Sequence, residues 1–240
     1  PKGAKEILKL AEKNPLRAER LLGRLSPEER MGLILSVRGK DRERLILLCK
    51  DAEEMVRRLP EEELYFTVKE IGMEDAQSLL SLASAGQIRF AFDLEAWKGD
   101  RLDPRRFLQW LQGLLNCGEE KAMEGIRAMD EEALITFLKR EMEVHKPDEG
   151  TEGKKDDKEY FTLDDHYFIR FRFQEAEKTL IQLLDLLFRR DQGLYFRLLE
   201  GVIWEIPAEV EERAFRWRQG RLMDRGFPDW EDSLSLYRYV

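Results

Sequence analysis

The chain has 240 residues, 42% hydrophobic and 38% charged, and a formal net charge of −8. That length supports one large domain or two small ones, each with its own core, and the acidic balance disfavours nonspecific binding to nucleic acid or anionic lipid. No run of about 18 apolar residues spans a bilayer, and residues 1–20 alternate charge with Leu and Ile where a signal peptide would be apolar.

Glu, Lys, Arg, Leu and Ala dominate, the vocabulary of solvent-faced amphipathic helices, so a mainly α fold is expected. From residue 4 to about 144 the pattern predicts short helices between crisp breaks. Asn14-Pro15 and Ser26-Pro27 each place a capping residue before a proline at the first helical position. Ser26 with Glu29 reads as a capping box opening a helix from Pro27 to about Val37. "DRERLILLCK", "DAEEMVRRL", the segment after Leu59-Pro60 and, past Gly72, "MEDAQSLLSLAS" continue the series. "IRFAF" is ambiguous between strand and helix, and its flanks favour helix. Asp103-Pro104 starts "RRFLQWLQGLL", Gly118 stops it, and helices are expected over roughly 119–128 and 130–144.

"LSPEER" at Leu25 and "LPEEEL" at Leu59 echo one another, and "MDEEALITFL" repeats the theme without proline. Helix-pair arrays with periods of roughly 30–47 residues stack into superhelices. The echo fits such an array over 1–144, or simply the suitability of Pro-Glu-Glu as a helix start. Residues 145–159 hold no large apolar side chain and read as a charged linker or loop. "YFTLDDHYFIRFRF" then alternates as a β-hairpin with Asp164-Asp165 at the turn. Helices are expected in "EAEKTLIQLLDLLFRR", with Leu180, Leu183, Leu184 and Leu187 on one face, in "GLYFRLLEGVIW", in "PAEVEERAFRWRQGRLMDR" and in "PDWEDSLSLYRYV". The last region, 160–240, forms a hairpin plus helices.

Asp164, Asp165 and His166 cannot all point into one metal site from a turn, so turn chemistry is favoured. Acid runs at Glu61-Glu62-Glu63, Asp130-Glu131-Glu132 and Glu211-Glu212 suit helix N-termini. Such clusters also admit weak Mg²⁺ or Ca²⁺ binding through water. Arg213, Arg216, Arg218, Arg221 and Arg225 surround Trp217, a composition that suits phosphate or base stacking. Glu209 to Arg213 and Glu212 to Arg216 are, however, i,i+4 pairs in the favourable order, so a salt-bridged face is preferred. Cys49 and Cys117 lie in apolar helical context without CxxC spacing and read as buried, reduced thiols of a cytoplasmic protein. No dinucleotide, Walker, zinc-protease or nucleophile-elbow motif is present.

Two resemblances follow from particular residues. The "LSPEER…LPEEEL…MEDAQSLLSLAS" pattern of residues 25–84 resembles the intracellular N-terminal domain of MgtE-type magnesium transporters, which implies an α-superhelix and a regulatory role tied to Mg²⁺. "LSLASAGQIRFAFDLEAWKGDRLDPRRFLQWL", "YFTLDDHYFIRF" and "RLMDRGFPDWEDSLSLYRYV" are similar to a family of uncharacterised bacterial proteins, a domain of unknown function. That resemblance covers most of the chain and implies no activity. Its members run longer, and the chain begins on Pro1, so it reads as part of a longer protein.

The expectation is therefore a mainly α protein: a superhelical array of short helices, then a β-hairpin and a helical C-terminal region. The favoured function is a non-catalytic protein-interaction or regulatory scaffold that needs no cofactor and binds protein partners. Trp97, Trp110, Arg213, Arg216, Trp217 and Arg221 are the candidate interaction surface, since aromatics and arginine are enriched at interfaces. A Mg²⁺-responsive module, an enzyme with an unfamiliar site, and nucleic-acid binding through residues 213–225 stand as alternatives.

Overall fold

Side-chain caps and positive-φ glycines set several of the helix boundaries. A computed structural model of the chain describes residues 3–146 and 160–227. Helices α1 (Ala4–Lys13) and α2 (Pro15–Leu22) meet at Asn14, whose side chain accepts the Arg17 N–H at 3.1 Å. Helix α3 (Pro27–Leu35) opens on the expected capping box: Ser26 Oγ accepts the Glu29 N–H at 3.2 Å, and Glu29 Oε2 accepts the Ser26 N–H at 2.8 Å. Next come α4 (Gly39–Leu47), α5 (Ala52–Arg58), α6 (Glu61–Ile71) and α7 (Gln77–Leu82), with Gly72 at φ 97° ending α6.

"IRFAF" lies in helix α8 (Ala85–Glu95), which starts with a second reciprocal cap between Ser84 and Gln87. Strands β1 (Trp97–Lys98) and β2 (Arg101–Leu102) form a hairpin whose two-residue loop is Gly99-Asp100, with Gly99 at φ 66°. Asp103 Oδ1 then accepts the N–H groups of Arg105 and Arg106 to cap α9 (Pro104–Leu115). Gly118 at φ 98° separates it from α10 (Glu119–Ala128).

Two expectations are corrected in the next stretch. Helix α11 (Glu131–Glu141) stops before 144, because "MEVH" turns inward with a period of two and becomes strand β3 (Met142–His145). Strand β4 (Phe168–Phe171) pairs antiparallel with β3, Val144 opposite Ile169, rather than with residues 161–163. The expected hairpin survives as a single bridge, Phe161 with Ile169, closed by two N–H···O bonds of 2.8 Å. Alternation identifies the buried face of β4 but not its partner, and β3 offers four consecutive positions. Asp164 is a turn residue as expected: its Oδ1 accepts the His166 and Tyr167 N–H groups, at 3.0 and 2.9 Å, and Asp165 takes φ 55°.

The chain continues as α12 (Gln174–Arg190), α13 (Gln192–Trp204) and α14 (Pro207–Asp224). The protein is thus mainly α with a helical C-terminal region. Of the predicted linker, His145 belongs to β3, and residues 147–159 lie outside the described residues. So do the helix expected over 228–240 and Trp230.

The chain divides into two compact units, Pro1–Ala91 with Asn116–Ala128, and Phe92–Leu115 with Met129–Val240. In the first, Leu45, Ile46, Met55, Val56, Leu79 and Phe90 are fully or almost fully buried. Its polar centre is Arg42, 2% exposed. The Arg42 guanidinium donates to the Ile34 and Val37 carbonyls, tying down the end of α3. It reaches α6 through the Glu63 carbonyl (3.1 Å), the Glu63 carboxylate (2.5 Å) and Thr67 Oγ1 (2.9 Å). Gln87 does the same for α5, donating to the carbonyls of Val56 and Leu59 at 2.8 and 2.9 Å.

In the second unit, Phe107 stacks on Phe137 with centroids 4.4 Å apart, and Phe92 meets Phe107 edge-on. The predicted face of α12 is the buried one, with Leu180, Leu183, Leu184 and Leu187 all at 0% exposure. Helices α11 and α13 approach closely at Gly201, where an added Cβ would stand 2.4 Å from Ile135 Cδ1.

Candidate interaction surface

The six residues that the sequence singles out fall into different environments. Trp97 and Trp110 are core side chains, 6% and 3% exposed, and Trp217 is 59% exposed. Arg221 turns inward. Its Nε and Nη2 donate to Asp93 at 2.8 and 2.7 Å, and its Nη1 and Nη2 donate to Asp130 at 3.0 and 2.6 Å. Burial works against the Arg221 charge, but the bonds to Asp93 and Asp130 outweigh it and hold the guanidinium above its ordinary range. Neighbouring Arg218 donates to the Asp93 carbonyl and lies 5.6 Å over the Trp97 ring.

The outer arginines of α14 are also engaged. Arg213 pairs with Glu205 at 2.6 Å rather than with Glu209, and Arg216 pairs with Glu212. The arginine-dense stretch is therefore a clamp and a salt-bridged face. The acid runs have similar partners: Glu63 meets Arg42, Asp130 meets Arg221, Glu131 meets Arg197 and Glu211 meets Arg140. Among the described residues, no group of three or more His, Cys, Asp or Glu could hold a metal ion. Cys49 is buried and Cys117 half-buried. Neither is in a disulfide, and burial pushes the Cys49 thiol up to about 11.

The second unit carries a cleft of about 920 Å³ lined by residues of β2, α11, β3, α13 and α14. His145 lies on it with Nε2 3.8 Å from the Glu143 carboxylate. Glu143 in turn is held by Arg170 and Arg172, and the Arg170 hydrogen bond chiefly keeps its carboxyl below the ordinary range. Arg140 forks onto both Glu211 oxygens at 2.7 and 2.8 Å, Lys139 donates to the Val202 carbonyl, and the Thr136 hydroxyl donates to the Glu132 carbonyl. Burial lowers the Lys139 pKa. Cleft polar groups thus bond chiefly to the scaffold. His166 is exposed in its turn.

A smaller groove, about 470 Å³, runs between α11, α13 and the start of α14. Its apolar lining includes Ile135, Phe196 and Trp204. Among the described residues Trp204 is the most exposed of the large apolar side chains, at 72%, and Ile206, two positions on, is 56% exposed. The indole is nonetheless held in place, since Trp204 Nε1 donates to Glu200 Oε2 at 2.8 Å. Glu200 also accepts from the Tyr167 hydroxyl and pairs with Lys146. The hydrogen bonds of Lys146 and then Tyr167 hold its carboxyl below the ordinary range. Around the rim, Arg197 grips both Glu131 oxygens at 2.8 to 3.1 Å, and Arg213 pairs with Glu205.

A family model described as a family of unknown function (DUF6178) matches residues 19–240. The chain belongs to that family. The DUF6178 match takes in residues 25–84 as well as every residue that lines the Trp204 groove. No curated protein and no solved structure matches the chain.

Phe196, Glu200 and Trp204 of this DUF6178 chain are not among the six candidate residues that the sequence singles out. Their signal was present: spaced i, i+4, i+8, they set two aromatics and one carboxylate on a single helical stripe.

Proposed function

We propose that this protein is a non-catalytic protein-interaction module of scaffolding or regulatory type, and that the Trp204 groove is its binding surface. The observation that carries the reading is the state of Trp204. An indole 72% exposed to water is held by a hydrogen bond to Glu200, so little side-chain freedom is lost when a partner covers it. Interfaces concentrate their binding energy in such aromatic anchors, with a polar rim that excludes water. Phe196, Ile135 and the two arginine–glutamate pairs supply the apolar floor and that rim. Two cysteines outside any disulfide fit a reducing, cytoplasmic compartment.

Site-specific photo-crosslinking in cells tests the reading. A benzophenone side chain placed at Trp204 should yield a discrete adduct, whereas one placed at exposed Phe66 of the other unit should not. An absence of adducts at Trp204, or an equal pattern at both positions, contradicts it.

A further inference from the structure

We infer that the Trp204 groove takes a polypeptide segment that sets an arginine or lysine beside an apolar anchor. This rests on the groove being a protein-binding surface. The charges of the lining carry the argument: four carboxylates, Glu131, Glu132, Glu200 and Glu205, face two guanidiniums, Arg197 and Arg213, for a net charge of −2. Two lysines lie outside the lining and are themselves engaged, Lys146 with Glu200 and Lys139 with the Val202 carbonyl. Both arginines are committed, Arg197 to Glu131 and Arg213 to Glu205, and their hydrogen bonds leave Glu132 outside either pair.

An incoming anion meets carboxylates here, and no basic side chain is left over to receive it. An incoming cation meets Glu132 together with the open ring of Trp204. Indole is the best aromatic acceptor of a cation, and arginine is its commonest partner. The remaining apolar surface, Phe196 with Ile135 at the floor, takes an aliphatic or aromatic side chain next to that cation. Complementary charge of this kind sets partner choice and encounter rate more than raw affinity.

Selection from a random peptide library on the full chain provides the test. Binders should be enriched in arginine or lysine adjacent to apolar residues. Their affinity should fall about tenfold on Trp204→Ala and several-fold on Glu132→Lys, and should weaken with added salt. Binders that depend on Trp204 but are neutral or acidic overturn the charge inference and leave the groove's role standing. Failure to recover any Trp204-dependent binder overturns both.

Discussion

Helix α14 and the C-terminal half of α13 each carry one exposed tryptophan, Trp217 at 59% and Trp204 at 72%, and otherwise differ in kind. On α14 the arginines around Trp217 are spent on the fold: Arg221 on Asp93 and Asp130, Arg218 on the Asp93 carbonyl, Arg216 on Glu212. On α13 the polar neighbour of the tryptophan is spent on the tryptophan itself, as Glu200 holds its indole N–H beside an apolar groove. Residue types typical of interfaces therefore mark a structural clamp in one region and, on our proposal, a binding surface in the other. Which role a residue plays depends on whether its charges find partners inside the fold.

The largest expected effect lies in the clamp. Arg221→Met strands the Asp93 carboxylate, 4% exposed, without its partner, and should cost about 3–5 kcal/mol of unfolding free energy in urea titrations. Exposed Arg216, replaced in the same way, should cost no more than about 1 kcal/mol. Equal losses at the two positions would erase the distinction between clamp and surface face.

Gly201→Ala comes next, at about 1–2 kcal/mol, because the new methyl collides with Ile135 Cδ1 beneath the groove. Adding Ile135→Val, which removes that atom, should recover part of the loss in thermal melts.

Acid provides a gentler probe of the Trp204 face. The Glu200 pKa is depressed, so its stabilising contribution is present above the ordinary glutamate value of 4.5 and is lost only as pH falls below it. The difference emission spectrum between the natural chain and Trp204→Phe should stay constant from about pH 7 to pH 5 and change only at lower pH. A change centred near pH 6 would show that Glu200 does not hold the indole.

The local punctuation of the fold was legible in advance. Asn14, Ser26 with Glu29, Asp103 and the leucine face of α12 all act as their spacing predicts, because caps and helical faces are decided within one or two turns. Two further signals are equally local: Ser84 with Gln87 as a cap, and Gly99-Asp100 as a hairpin loop. What stayed hidden was long-range. Nothing in "FIRF" names β3 as its partner, and nothing in α14 says that Arg221 meets Asp93, 128 positions away. The burial of Trp97 and Trp110 against the exposure of Trp204 is likewise decided by packing between distant segments. The two compact units interleave along the chain, and no composition shift records where one passes to the other. The candidate surface suffered most, since it consists of what the rest of the fold leaves uncovered.

The comparison between the two tryptophans can be put to one measurement. Affinity for a peptide selected on the full chain should be determined by fluorescence anisotropy for Trp204→Ala and Trp217→Ala side by side. Neither replacement should change stability by more than about 0.5 kcal/mol, since both side chains are exposed. The prediction is a loss of about tenfold from Trp204→Ala and less than about twofold from Trp217→Ala. The reverse order, with Trp217 dominant, would place binding on the arginine-rich helix and contradict the assignment of the surface to the Trp204 groove.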